Sequence, residues 1–355
     1  MNAAPPKKVE SRSVHPWDRI DAPGKILIIR FHAFGDVALT LPASLGLRER
    51  FPNAEIDYLT LGTAAPLLRS VRLFNRVMEF PSNSNRATRL MNAVRFGMLA
   101  RSQRYDVVID LQRNRISRMV RQAASCPAWS EFDRFGPLPA AERTLSAIHD
   151  AGFNNVVPSH AFTINETLRV QAESLLSANG YQFEKRLVVL NPAGLWKTRN
   201  WPLNNYLTLA RLWQEHEPVQ FLLLGTGRIQ RKAEVLLQRL GPVVIDLTGK
   251  TTVDLAFALL QNASAIVTED SGLMHLAWSA NLPIVALFGS SNAGWSAPTG
   301  PHACTLHSGD LLCGGCMKSE CIYGDIHCLT RHTPEKVFRI AMELTRSYRV
   351  TAVSA

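Results

Sequence analysis

Hydrophobic positions fall along this chain in two alternating patterns. Short unbroken apolar runs rich in β-branched residues are one; longer stretches with helical character are the other. The first pattern predicts strands buried on both faces of a parallel sheet. "KILIIR" at 25–30 opens the series, and "AEIDYLT" at 54–60 and "YDVVIDLQ" at 105–112 continue it. Between them lie "VALTLPASLGLRERF" and "RATRLMNAVRFGMLARSQR", the second helical and basic. Pro42 limits the first of these helices, which either starts near Thr40 or kinks there. An amphipathic helix over 166–179, "ETLRVQAESLLSAN", is ended by Gly180, a favourable residue just past a helix end. The alternation then restarts, with strands expected at 186–192, 220–226, 243–249, 265–270 and 284–289, and a last helix at 334–347.

Strands alternating with helices twice over predict two α/β units with parallel sheets. A length of 355 residues agrees, being long for one core. The expected order is a disordered, polar, Pro-rich extension over 1–24, then a domain over 25–165 and a linker helix over 166–182. A second domain over 183–333 carries a Cys-rich loop at 304–330, and a helix over 334–355 closes the chain. Two such halves imply a cleft, with ligands beyond the C-terminal strand ends.

Charge narrows the partners. Lys and Arg number 39 against 29 Asp and Glu, a formal charge of +10. That suits a nucleotide, a nucleic acid or an anionic membrane surface, although excess charge also serves solubility alone. No apolar run approaches the roughly 20 residues needed to span a bilayer, and no secretory signal is visible. There is no recognisable nucleic-acid motif and no aromatic platform among the basic runs, so nucleic acid is not expected as a partner.

Four loops at predicted strand ends carry the candidate chemistry. In "RFHAFGDVALT", Gly35 permits a sharp turn and Asp36 follows it, as a catalytic carboxylate or as a helix N-cap; His32 is a ligand or a loop filler. "NPAGLWKTRNWP" places Gly194, Lys197 and Arg199 before a helix start, either a diphosphate cradle or two solvated cations. "LLLGTGRIQRKAE" offers Gly225 and Thr226 in a tight turn; it begins like a dinucleotide fingerprint, but Gln230 stands at the third glycine position. In "TEDSGLMH", Ser271 and Gly272 open a helix whose amides suit an anion, Asp270 suits sugar hydroxyls, and His275 falls in the first turn or is a core histidine.

With these pieces assembled, the chain resembles the bacterial lipopolysaccharide heptosyltransferases of glycosyltransferase family 9. The matching segments are "KILIIRFHAFGDVALTLPASLGLRERFPNAEIDYLT", "NPAGLWKTRNWP", "DLTGKTTVDLAFALLQNASAIVTEDSGLMHLAWSANLPIVALFGSS" and "CGGCMKSECIYGDIHCLTRHTPEKV". The resemblance implies a GT-B fold, two Rossmann-like domains facing each other across a cleft, with the acceptor on the first and the nucleotide sugar on the second. It implies inverting, metal-independent transfer of a heptose from an ADP-sugar to the lipopolysaccharide inner core, with no cofactor required for catalysis. Asp36 would be the general base on the N-terminal domain. Lys197 and Arg199 would meet the diphosphate, and Asp270, Ser271, Gly272 and His275 would hold the donor. Relatives often have Lys-Arg-Trp-Pro or Lys-His-Trp-Pro where this chain has Arg199-Asn200-Trp201-Pro202. The implied setting is cytoplasmic, soluble or peripheral on the inner face of the inner membrane. Other readings remain: an inverting transferase using another nucleotide sugar or acceptor, or a non-catalytic binder.

For an anionic glycolipid acceptor, His32, Arg69, Arg72 and Arg76, and then Arg113, Arg115, Arg118 and Arg121, are candidates; the alternative is a solvated basic face. No long amphipathic anchor is visible, so membrane contact is expected to be weak. Cys313, Cys316, Cys321 and Cys328 are spaced C-x₂-C-x₄-C-x₆-C, which suits structural zinc or iron, or four packed thiols.

Overall fold

The structure, a computed structural model, describes residues 12–82 and 85–353. Contacts divide the chain into two units, but not at a single cut. The first takes the described residues up to Ala33 and Thr40–Ser159; the second takes Phe34–Leu39 and the chain from His160 onward.

In chain order the first half contains β1 (Lys25–Ile29), α1 (Phe34–Ala38), α2 (Leu41–Arg50), β2 (Glu55–Leu61), α3 (Ala65–Ser70) and β3 (Arg76–Phe80). It continues with α4 (Arg86–Gln103), β4 (Val107–Asp110), α5 (Arg115–Ala124), β5 (Ala128–Glu131) and α6 (Ala140–Asp150). The break between α1 and α2 follows from Pro42, which sits in the first turn of α2 and cannot donate to a preceding turn. The strands form one parallel sheet in the order β3-β2-β1-β4-β5, with Ile26 of β1 opposite Ile56 on one side and Val107 on the other. Its core gathers Leu27, Ile29, Leu59, Phe80, Tyr105 and Val108 with Ala93 and Ala100 of α4. Asn85 caps α4 by accepting the Thr88 N–H, and Asn114 and Ser117 form a reciprocal capping box on α5. The α4–α5 seam is close: a Cβ on Gly97 would lie 2.4 Å from the Cβ of Ala123.

The second unit adds α7 (Glu166–Ala178), β6 (Arg186–Asn191), α8 (Leu203–His216), β7 (Val219–Leu223), α9 (Gln230–Leu240) and β8 (Val244–Asp246). Then come α10 (Val253–Leu260), β9 (Ala265–Glu269), α11 (Gly272–Ser279), β10 (Ile284–Leu287), α12 (Ala293–Ser296), β11 (Ala303–Leu306), α13 (His327–Thr330) and α14 (Pro334–Val353). The strands are again parallel, in the order β11-β10-β9-β6-β7-β8. Trp201, Trp213, Tyr206 and Phe221 fill the core on the α8 side, which α14 also covers.

Three strands, β3, β5 and β11, lie outside the expected set, and all three are sheet edges. The helix expected to be a linker is packed into the second unit, where α7 buries Leu168, Ala172 and Leu176 and lies against α10. The expected disorder over 1–24 is corrected for its described part. His15 pairs with Trp129 by backbone bonds of 2.8 and 2.7 Å, and the Trp17 N–H reaches the Ala151 carbonyl at 2.9 Å. The His15 ring lies 5.0 Å from the Trp129 ring of β5, and the Trp129 indole N–H donates to the Ser13 hydroxyl at 3.0 Å, so contacts with the sheet edge order this polar stretch. Residues 1–11 lie outside the described residues.

Candidate active site

The C-terminal ends of β6, β7 and β9 are tied by one buried side chain, Asn191. Its Nδ2 donates to the Leu224 carbonyl at 2.8 Å, and its Oδ1 accepts from the hydroxyls of Thr268 (2.9 Å) and Ser271 (2.8 Å). Ser271 is also the N-cap of α11, accepting the Met274 N–H at 3.3 Å. The start of α11 is therefore fixed to the sheet, with Gly272 exposed at its first turn. Orphan amides and the helix dipole make such an end attractive to an anion. The sequence reading found Ser271 and Gly272 but missed Asn191; a polar residue ending an apolar run just before Pro192 was the available signal.

A buried carboxylate, Glu269, closes the loop that follows β6. Its Oε2 accepts the Gly194 N–H at 2.6 Å and its Oε1 the Trp201 N–H at 2.7 Å, so it holds both ends of the loop. The Tyr206 hydroxyl lies 3.3 Å from Oε1 and the Lys232 ammonium 3.9 Å from Oε2. Burial pushes the Glu269 carboxyl up to about 7, against the pull of Lys232 and the two amides. Lys232 also donates to the Pro192 carbonyl at 2.7 Å and to Asn200 Oδ1, and burial lowers its pKa. Neither Glu269 nor Lys232 was singled out from sequence. Gly194 is required sterically, since a Cβ there would lie 2.3 Å from the Arg199 carbonyl oxygen.

The two candidate cations in this loop part company. Arg199 is 15% exposed, pairs with Asp270 at 2.9 Å, and lies 4.0 Å over the Trp196 ring. The Lys197 side chain is 86% exposed, and Glu320 lies 3.6 Å from its ammonium. Gly225 takes φ +152°, with its carbonyl receiving the Gly249 N–H at 2.8 Å, and Thr226 is exposed at the start of the next turn.

Asp36 lies on α1, and α1 packs on α11 within the second unit. Asp36 was expected on the N-terminal domain; by its contacts the segment Phe34–Leu39 groups with the second unit instead. Two glycines are the physical reason. A Cβ on Gly35 would lie 2.6 Å from the His275 ring and 3.4 Å from the Gly272 Cα, so only a bare backbone fits. The Ser279 hydroxyl, donating to the Ala38 carbonyl at 2.7 Å, fastens the other end of α1. His275 is buried, and its Nδ1 has no hydrogen-bond partner among the described residues. Burial lowers its pKa, while the charges of Asp270 and then Asp36 pull the other way. One unit thus gathers a carboxylate beside a neutral imidazole, a paired arginine and an open helix start.

The family described as glycosyltransferase family 9 (heptosyltransferase) matches residues 94–327, well over half of the chain. The chain belongs to glycosyltransferase family 9. The lipopolysaccharide heptosyltransferase 2 of Escherichia coli K12 is 26% identical over 298 residues, covering 77% of this chain and 85% of that protein. The solved family 9 glycosyltransferase of Veillonella parvula superposes with TM-score 0.77 at 21% identity, covering 91% of this chain and 98% of that one. The E. coli ADP-heptose lipopolysaccharide heptosyltransferase II superposes with TM-score 0.71 at 22% identity, covering 92% and 99%. The two parallel-sheet domains of this family 9 chain are accordingly a GT-B fold.

Elsewhere in the family 9 chain, the candidate acceptor residues scatter over the first unit. The His32 and Phe31 amides both donate to Gln112 Oε1, at 3.2 and 2.9 Å, and His32 itself is exposed. Arg69 is paired with Glu79 at 2.6 Å, and Arg72 is exposed in a left-handed turn with φ 47°. Arg113 is a correction: it is buried, 3.6 Å from Glu131 and 3.9 Å from Asp133, because these two carboxylates near the end of β5 hold its guanidinium as their countercharge. Arg121 is likewise buried, 2.6 Å from Glu131. Arg115 is exposed in the first turn of α5. The metal expectation at Cys313, Cys316, Cys321 and Cys328 finds no support in the geometry. All four are free thiols, and among the described residues no three His, Cys, Asp or Glu side chains converge on one position for a metal. They share a neighbourhood without sharing a centre: burial raises the Cys328 pKa first, and the other three thiols add to it, while Cys321 lies 3.8 Å from Asp325.

Proposed function

We propose that this family 9 glycosyltransferase moves a heptose from ADP-heptose to the inner core of lipopolysaccharide, with inversion and without a catalytic metal. The observation that carries the reading is the packing of α1 on α11, which brings Asp36 beside His275 and the anion-binding helix start. An acceptor hydroxyl attacks the anomeric carbon on the face opposite the diphosphate, and Asp36 takes its proton. The bond from that carbon to the β-phosphate oxygen breaks, and ADP departs with the electron pair. Arg199 and the amides at the start of α11 offset the charge that builds on the leaving group. Asp270, which orients Arg199 through its ion pair, also accepts from sugar hydroxyls. His275, kept neutral by burial, donates one ring N–H to the donor. The donor and acceptor named for the E. coli relatives support this substrate class.

A general base of this kind contributes about 10²–10⁴ in rate. Asp36→Asn is expected to lose turnover by that factor while ADP affinity, read by calorimetry, stays near that of the parent. Unchanged turnover on an ADP-heptose donor would remove Asp36 from the role.

A further inference from the structure

The loop over 307–326 joins β11 to α13 and carries three of the four clustered cysteines. Hydrogen bonds give it a fixed shape. The Ser308 hydroxyl ties its two ends by donating to the Cys328 carbonyl at 2.9 Å. The Leu311 N–H reaches the Ser308 carbonyl at 3.1 Å, and the Gly314 N–H reaches the Leu311 carbonyl at 2.8 Å. A Cβ on Gly314 would lie 2.1 Å from the Ser308 carbonyl oxygen, so the turn closes only around a bare backbone.

The middle of this loop is docked on the one that follows β6. The Thr198 hydroxyl donates to the Lys318 carbonyl at 2.5 Å, and the Met317 N–H donates to the Ser290 carbonyl at 2.8 Å. Thr198 Oγ1 also lies 2.8 Å from the Ser290 hydroxyl. A carbonyl can only accept, so the Thr198 proton goes to Lys318 and Ser290 is the donor to Thr198. The Ser290 N–H then returns to the Thr198 carbonyl at 3.1 Å. Thr198 and Ser290 are buried, and beside them a Cβ on Gly289 would lie 2.0 Å from the Thr198 carbonyl oxygen. Met317 takes φ 56° at the point of docking, a left-handed conformation uncommon outside glycine. Three segments far apart in the chain thus share one bonded junction.

Thr198 is the middle of the single turn Lys197–Arg199. Asp270 and the Trp196 ring set the guanidinium of Arg199, and Glu269 holds the loop at Gly194 and Trp201. The backbone from which the Arg199 side chain leaves is fixed by the junction at Thr198. We propose that the loop over 307–326 braces the donor site, with Thr198 and Ser290 as positioning residues that hold Arg199 for a diphosphate. The proposal rests on the transferase reading of Arg199. Coupling of this kind is reciprocal: a ligand on Arg199 must tighten the loop by as much as the loop tightens the ligand.

Calorimetry with ADP reads the site, and hydrogen exchange in peptides containing Met317 reads the loop, both on the whole protein. Thr198→Val removes the hydroxyl at nearly constant shape and leaves the Lys318 carbonyl without its donor. ADP affinity is expected to fall about tenfold, and exchange at Met317 to quicken about tenfold. Thr198→Ser, which keeps the hydroxyl, should restore both. Ser290→Ala should shift both in the same direction as the valine variant, and it keeps the test open if that variant does not fold. In the parent, ADP should slow exchange at Met317 about fivefold. Equal ADP affinity in the parent, Thr198→Val and Ser290→Ala overturns the proposal, and so does a drop in thermal midpoint alone. Exchange at Met317 that ADP leaves unchanged overturns it as well. A parent that binds no ADP would sink the transferase reading by itself; exchange at Met317 would then decide the brace, with equal rates in the parent and the valine variant counting against it.

Discussion

Glu269 has both carboxylate oxygens committed to backbone amides at the two ends of one loop, an arrangement that only the ionised form satisfies. Glu269→Gln supplies one acceptor and one NH₂ group, so either Gly194 or Trp201 loses its partner. An unsatisfied buried donor costs about 1–3 kcal/mol, and the expected readout is a rise of about tenfold in donor KM with less change in kcat. Because the carboxyl sits at about 7, protonation below that pH frees one end of the loop, and donor KM should rise as pH falls through it. Lys232 and Tyr206 are the titratable groups facing it, and the glutamine variant should flatten the profile. The effect on the fold has the opposite sign. A carboxyl raised above its ordinary value favours the folded state more as pH falls from about 7 towards 4.5. In the same loop, Arg199→Ala should weaken ADP binding by about 1.5–3 kcal/mol, whereas Lys197→Ala should change it by no more than about 0.5 kcal/mol. Calorimetry with ADP distinguishes the two. Sequence exposed Asp270, Ser271 and Gly272 because polar residues at the end of an apolar run stand out. Glu269 was hidden, since its role depends on amides 75 and 68 positions away in the chain.

At the scale of elements, the contact of α1 with α11 depends on Gly35. Gly35→Ala places a methyl group 2.6 Å from the His275 ring, and overpacking of this kind costs about 1–3 kcal/mol. Turnover should fall through the displaced Asp36, with a smaller shift in thermal midpoint; the comparison of kcat with calorimetric stability checks it. Pro42 showed in the sequence that the helix is interrupted, but not that the segment before it packs elsewhere, because that follows from a contact with α11 far along the chain. Central strands were readable because they are apolar on both faces, as in β1 and β9. The edge strand β3, "RVMEF", carries charged and half-exposed residues and lacks that signature.

At the scale of the molecule, the second unit holds histidines that burial keeps neutral. His302 and His332 are lowered to about 4, and His160 and His275 are lowered as well. A histidine with a depressed folded pKa adds stability above its ordinary value of 6.5, and that stability is lost as pH falls towards 4. Glu269 at about 7 and Asp110 at about 6 act in the opposite direction, but they are fewer. The thermal midpoint is therefore expected to drop between pH 6.5 and 4, as scanning calorimetry would record; a rise over that range would contradict the assignment. The division into two units was legible from the repeated alternation of strand and helix, while the loan of Phe34–Leu39 from one stretch of sequence to the other unit was not. That loan bears on any attempt to dissect the protein. A piece beginning at His160 would carry Arg199, Asp270 and Ser271 and yet lack Asp36, so under the proposed roles it is expected to bind ADP without turnover, and a short peptide spanning 34–39 supplied in trans would be its natural complement.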